Sequence, residues 1–199
     1  MAKVEPIRDS KKIKTIMNML KGEENWRDYV LFVCGINFGL RIGDLLNIQV
    51  KDVKNEDSRI KDRFEIKEQK TSKYNTIEIN KPAKEALKLL FKKTNIGTKS
   101  DNYIIYNTQR VPLGSSSISR VQAYRLILKW CRKVGLTNLS VGTHTLRKTF
   151  GYHAWKSGIS IEAIQEKFKH NSTSTTRQYL GIEKKDVKET YDSLIDVFN

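Results

Sequence analysis

The chain has 199 residues, 38% of them apolar, with 37 Lys or Arg against 22 Asp or Glu, a formal charge of +15 and an isoelectric point near 9.8. Its longest apolar run, Tyr29 to Ile36, is far too short to span a bilayer as a helix. Two cysteines, both in apolar helical patterns, argue against a disulfide scaffold and suggest buried thiols in a reducing cytoplasm; no repeats and no signal-peptide pattern are seen. The positive balance favours a polyanionic partner, although a basic protein without one would show the same charge.

In chain order, Ser10 to Lys21 reads as a helix with Ile13, Ile16, Met17 and Leu20 on one side and Gly22 as its stop. Glu23 to Phe38 is a second helix, apolar nearly all round, and belongs at the centre of the core. Gly39 should break it and lead to Gly39-Leu40-Arg41-Ile42-Gly43-Asp44, with Arg41 opening a short helix. Asp44, three residues on, is expected to hold the Arg41 guanidinium. Val50 to Val53 could add a strand to a hairpin over Phe64 to Asn80, where Phe64 and Ile66, then Ile77 and Ile79, alternate around a turn at Lys70 to Asn75.

Lys81 to Thr94 is a helix with Pro82 in its first turn. Tyr103 to Tyr106 is an apolar segment of open type, and Gly114 to Ser117 a loop. Ser117 or Ser119 caps a helix running to Val134, whose expected inner face is Val121, Tyr124, Leu128 and Cys131. Arg120, Arg125, Lys129 and Arg132 decorate it.

The densest chemistry lies between His144 and Tyr179. A helix over Thr145 to Trp155 sets His144 and Arg147 one turn apart, and Gly151 opens that face to a close approach. A second helix follows Ser160 as N-cap, with Ile159 and Ile164 spaced as a hydrophobic staple and Ile161, Ile164 and Phe168 inward. His170 closes it. Asn171 to Ser174 supplies the next cap, and the third helix carries Tyr179. Arginine grips phosphate with a bidentate fork, histidine moves protons near neutral pH, and tyrosine is a phosphate nucleophile once deprotonated. Two histidines and an arginine beside a tyrosine therefore suggest phosphoryl transfer. Each residue alone has a plainer reading as a cap, a solvated charge or a packed ring.

His144-Thr145-Leu146-Arg147, then His170 and Tyr179 nine residues apart, resemble the second catalytic block of the tyrosine recombinase (phage integrase) family, H-x-x-R followed by histidine or tryptophan and then tyrosine. Upstream, Gly39-Leu40-Arg41 with Asp44 resembles the family's G-x-R-x-x-E/D, and Lys70-Thr71-Ser72-Lys73 its K-T-G-K hairpin. The resemblance implies a mainly α fold with a small antiparallel β-sheet (α+β), the tyrosine recombinase catalytic-domain fold, as one domain over residues 1–199 with residues 1–9 as lead-in. It implies that Arg41 and Arg147 clamp one phosphate, His144 and His170 assist, Lys70 is the general acid and Tyr179 the nucleophile. A 3′-phosphotyrosyl intermediate would form without metal, ATP or other cofactor. Double-stranded DNA is the expected partner, with Lys73, Lys148, Lys169 and Arg177 as backbone contacts.

Glu183 to Phe198 reads as a last helix. It either packs on its own domain or, as the family suggests, docks on a neighbouring protomer in a tetramer. The sequence departs from the family at Ser72 and Lys169, where glycine is common, and at Lys148, often histidine. Family members usually carry an N-terminal DNA-clamping domain; here only Met1 to Asp9 precede the expected catalytic domain, as in a minimal recombinase or a fragment of a longer one. An alternative to a strand transferase is a DNA-binding accessory or inactive relic of the same fold.

Overall fold

The computed structural model describes residues 4–70 and 72–182. The helix expected over Glu183 to Phe198 lies outside the described residues. Helix α1 (Ser10–Gly22) starts at Asp9, whose carboxylate accepts the Lys11 and Lys12 N–H groups. Helix α2 (Trp26–Phe38) begins three residues later than its periodicity suggests, because Glu24 takes a left-handed conformation and Asn25 becomes the cap. Residues Asp28 to Gly35 of α2 are all buried, so α2 is the central helix. Gly39 closes it at φ 64°, a conformation that glycine adopts at little cost, with the Phe150 ring packed against its Cα.

Arg41 is the N-cap of the one-turn-long α3 (Ile42–Leu46). Val50–Val53 is a helical turn, α4, and not a strand. The Asp52 carboxylate accepts the Gln49 N–H at 2.8 Å, which fixes a helix start that β-branched composition alone does not announce. Strands β1 (Arg63–Lys67) and β2 (Tyr74–Glu78) form the expected hairpin, with Phe64 opposite Ile77 and Ile66 opposite Asn75. The turn is tighter than expected, since Tyr74 and Asn75 already pair. Helix α5 (Lys81–Lys93) is capped by Asn80 and packs on α2. Tyr103 to Tyr106 is a buried irregular segment pinned by Ile104 N–H to the Ile48 carbonyl and Ile118 N–H to the Ile105 carbonyl.

Ser119, not Ser117, caps α6 (Arg120–Lys133). Its buried face is Ala123, Ile127, Trp130 and Cys131; Val121 is 56% exposed, and Tyr124 and Leu128 are only half-buried. The stripe is rotated because Trp130 packs edge-on against Phe32 of the central helix, which makes position 130 an inner one. Helices α7 (Thr145–Lys156), α8 (Ile161–Phe168) and α9 (Thr173–Leu180) follow, the last two capped by Ser160 and Ser172 as expected. Ile159 stays 49% exposed, so the staple covers little.

The apolar interior falls into two clusters. The larger joins α1 to α6 with the hairpin and ends at Leu146 in the first turn of α7. The smaller holds Ile161, Ile164, Phe168 and Leu180, with Phe150 and Trp155 from the rest of α7. Helix α7 therefore belongs to both. Among the described residues no helix is long and apolar enough to cross a membrane.

Candidate active site

Arg147 sits in the first turn of α7 with its side chain buried. Nη1 donates to the Gly39 carbonyl and Nη2 to the Phe168 carbonyl, both at 2.9 Å, and the guanidinium lies 4.3 Å from the centre of the Phe168 ring. One side chain thus joins the end of α2 to the end of α8. Burial works against its charge, but a guanidinium remains protonated at any working pH.

Arg41 is the second cation, and its partner is not the expected one. Nη1 pairs with Glu68 at 2.5 Å, and Asn75 Nδ2 donates to the other Glu68 oxygen at 2.7 Å. Asp44 instead accepts the Gln69 N–H at 3.0 Å, while its second oxygen is buried with no protein partner. Three residues apart puts Asp44 near Arg41 along the helix, but Arg41 is the cap, with extended backbone, and its side chain leaves toward the hairpin. Glu68 had a sequence signal: it continues the alternation of Phe64 and Ile66, so it had to point inward with them. An acid on a buried stripe needs a cationic partner.

Tyr179 completes the group. Its hydroxyl is 2.8 Å from His144 Nδ1, and the His170 ring stands edge-on to it at 4.9 Å between centroids. His144 is exposed at the rim, with its Nδ1 edge turned inward. His170 Nδ1 is 3.2 Å from Thr176 Oγ1, which orients the ring. Burial pushes the Tyr179 phenol up to about 12, with Arg147 and Arg41 acting in the opposite sense. Burial and then Arg147 hold both histidines below their usual value, His170 at about 4. Near neutral pH the site therefore holds a protonated phenol against a neutral imidazole, the pair needed for a general-base step.

Gly151 does admit a close approach: Leu180 and Phe168 fill the space a side chain would need. Lys70 is exposed in the hairpin turn, on the rim of a cleft of about 400 Å³ lined also by Arg41, Asp44, Gln69, Arg120 and His144. Arg120 donates to Gln69 Oε1 at 2.9 Å, which brings α6 into the site, a placement its position in the sequence did not announce.

Of the four expected DNA contacts, Lys73 and Arg177 are exposed, Lys148 is buried and Lys169 is half-buried, reaching across to the hairpin. Lys148 is buried, donating to the Val4 carbonyl at 2.8 Å with its ammonium 4.6 Å from the centre of the Tyr179 ring. Lys169 donates to the Tyr74 carbonyl at 2.7 Å and ties the end of α8 to the hairpin. Lys167, which the sequence did not single out, is half-buried, and burial brings its ammonium down to about 8. The two positions where the family commonly has glycine, Ser72 and Lys169, both adopt left-handed backbone, at φ 53° and 52°. The backbone keeps the turn that glycine serves even though the residue has changed.

The phage integrase family pattern matches residues 8–186. The chain belongs to the phage integrase family. It is 39% identical over 189 residues to the probable integrase/recombinase YoeC of Bacillus subtilis (strain 168), covering 94% of this chain and 95% of YoeC. It is 29% identical to the tyrosine recombinase XerC of Thermodesulfovibrio yellowstonii, of which it spans 54%. Against XerA of Pyrococcus furiosus it spans 65%, so other integrase-family relatives are considerably longer. Among solved folds, the XerA recombinase superposes with a TM-score of 0.76 at 20% identity, over 97% of this chain and 66% of XerA. A lambda integrase dimer bound to a core site gives 0.64 at 18% identity, over 90% of this chain and 60% of that one. The mainly helical fold with its two-stranded sheet is thus the tyrosine recombinase catalytic-domain fold.

Proposed function

We propose that this integrase-family chain is a site-specific DNA recombinase that cleaves and rejoins DNA through a 3′-phosphotyrosyl intermediate. The observation that carries the reading is the hydrogen bond between Tyr179 and His144 Nδ1, beside two arginines held at fixed positions. Arg41 and Arg147 receive the non-bridging oxygens of the scissile phosphate. His144 Nδ1 takes the phenol proton as the Tyr179 oxygen bonds to phosphorus. The bond from phosphorus to O5′ breaks, and the Lys70 ammonium supplies the proton to the leaving oxygen. His170 hydrogen-bonds the phosphate.

Reversal by a second strand's 5′-hydroxyl rejoins DNA, because the phosphotyrosyl link keeps the energy of the diester. No step calls on a metal or nucleotide cofactor; the arginines supply the transition-state charge stabilisation. The net charge of +15 supports a DNA partner, as do the DNA-bound forms in which the similar lambda integrase and XerH recombinase were solved. Exposed Lys73 and Arg177 are the candidate backbone contacts. Assembly of four copies on DNA and a cytoplasmic location belong to the same proposal, as does a single catalytic domain.

The test is trapping on nicked suicide duplexes that carry candidate core sites, with wild type and Tyr179→Phe compared on a denaturing gel. A covalent adduct from wild type alone supports the reading. Wild-type protein that binds DNA with a steep salt dependence yet never forms an adduct would point to the accessory role.

A further inference from the structure

The segment of residues 4–9 runs ahead of α1 and is stitched along α7. The Val4 carbonyl accepts Lys148, Ile7 N–H donates to Thr149 Oγ1 at 2.9 Å, and the Ile7 carbonyl lies 2.9 Å from His153 Nε2. Ile7 is fully buried and anchors the segment in the larger core. Arg8 then leaves that line. Its guanidinium passes 5.1 Å from the centre of the Tyr152 ring, and Nη2 donates to the Gly181 carbonyl at 2.6 Å. Gly181 is the C-cap of α9, two residues beyond Tyr179.

Helix α9 needs such a tie. It has eight residues and buries only Thr176 and Leu180. A helix that short does not hold itself in water. The cap N–H groups of Gly181 and Ile182 satisfy the Gln178 and Arg177 carbonyls, and a cation is favoured at that end, where Arg8 takes the Gly181 carbonyl. The geometry leaves little slack, since a slip by one residue's rise of about 1.5 Å would take the Tyr179 hydroxyl out of reach of His144.

We propose that Arg8 is a positioning residue for Tyr179, clamping the C-terminal end of the tyrosine helix to the buried N-terminal segment and so setting the nucleophile's reach. Arg8 acts through α9 and touches none of the reacting groups. The catalytic consequence rests on the recombinase reading; the clamp itself does not.

The experiment compares wild type, Arg8→Ala and Arg8→Lys in single-turnover adduct formation, DNA affinity by mobility shift, and hydrogen exchange of the peptide covering residues 172–182. Arg8→Ala should slow adduct formation about tenfold or more, the scale of one hydrogen bond to a charged group. Affinity for the same duplex should change by less than about threefold, since DNA binding spreads over many contacts. Amides of α9 should exchange faster, and Arg8→Lys, which still donates to the carbonyl, should recover most of the rate. Unchanged α9 exchange in Arg8→Ala overturns the clamp. An Arg8→Lys rate no better than that of Arg8→Ala assigns the effect to packing on Tyr152 and also overturns it. Should wild type form no adduct, the recombinase reading fails, and α9 exchange in Arg8→Ala still decides for or against the clamp.

Discussion

The two apolar clusters differ in size and in what they hold. The larger fixes Arg41, Glu68 and Asp44, charges whose partners lie on α3 and the hairpin. The smaller seats His170, in the turn after α8, and Tyr179, on the eight-residue α9, around Phe168 and Leu180. Arg147, on the helix shared by both, reaches one carbonyl on each side. On the proposed reading, Arg41 thus stands on the larger cluster, and the tyrosine stands on a light unit fastened to it by a few polar bonds. That division suits a reaction in which the phosphate must be held still while the tyrosine attacks, stays attached and later leaves.

The largest effect should come from breaking the shared joint. On the proposed mechanism Arg147→Ala removes a transition-state donor, a loss that typically costs about 10²–10³ in rate. It also leaves the Gly39 and Phe168 carbonyls without their donor. Single-turnover cleavage should fall by at least that factor, and α8 and α9 should become more protease-sensitive than α2 and α5. Equal sensitivity in both regions would show that the light unit is not separately fastened.

A second prediction uses pH. His144 and His170 are held below their ordinary value of 6.5, His170 at about 4, by burial and by the arginines. Between those values the unfolded chain binds protons that the folded chain does not, so this contribution to stability rises with pH and falls on acidification. The thermal midpoint should drop from pH 6.5 toward pH 4.5, with α9 exchange rising first. His170→Gln should flatten the slope; an unchanged slope would place its origin elsewhere.

The smallest effect is at Lys169. Lys169→Gly relieves a left-handed backbone worth about 1 kcal/mol but loses the tie to Tyr74. Denaturant unfolding should therefore shift by less than about 1 kcal/mol in either direction. Hairpin amides around Tyr74 should still exchange faster, separating the tie from the strain.

Local chemistry wrote much of this molecule legibly. Helical periodicity and cap residues located α1, α5, α8 and α9, and alternation located the hairpin, because those signals act over one or two turns of chain. The candidates Arg41, Lys70, His144, Arg147, His170 and Tyr179 were singled out by their motif resemblance, and Arg41, Lys70 and His144 line one cleft with Tyr179 hydrogen-bonded to His144. The inward position of Glu68 was readable from alternation, but its pairing with Arg41 was not. Spacing along α3 favoured Asp44, while the side chain turned to Glu68, 27 residues away and just past the end of β1, which meets it only in three dimensions.

Lys148 reads as a surface charge until the Val4 carbonyl, 144 residues earlier, is seen to receive it. The inner face of α6 was misjudged because Trp130, which defines it, is chosen by Phe32 on the central helix. In each case the deciding neighbour lies far along the chain, and long-range packing leaves no periodic trace near the residue it fixes. The sequence by itself announced most of the described helices, the hairpin and a set of candidate reactive residues. Only the tertiary structure decided which acid holds which arginine, which lysines face inward, and how the tyrosine helix is tied down.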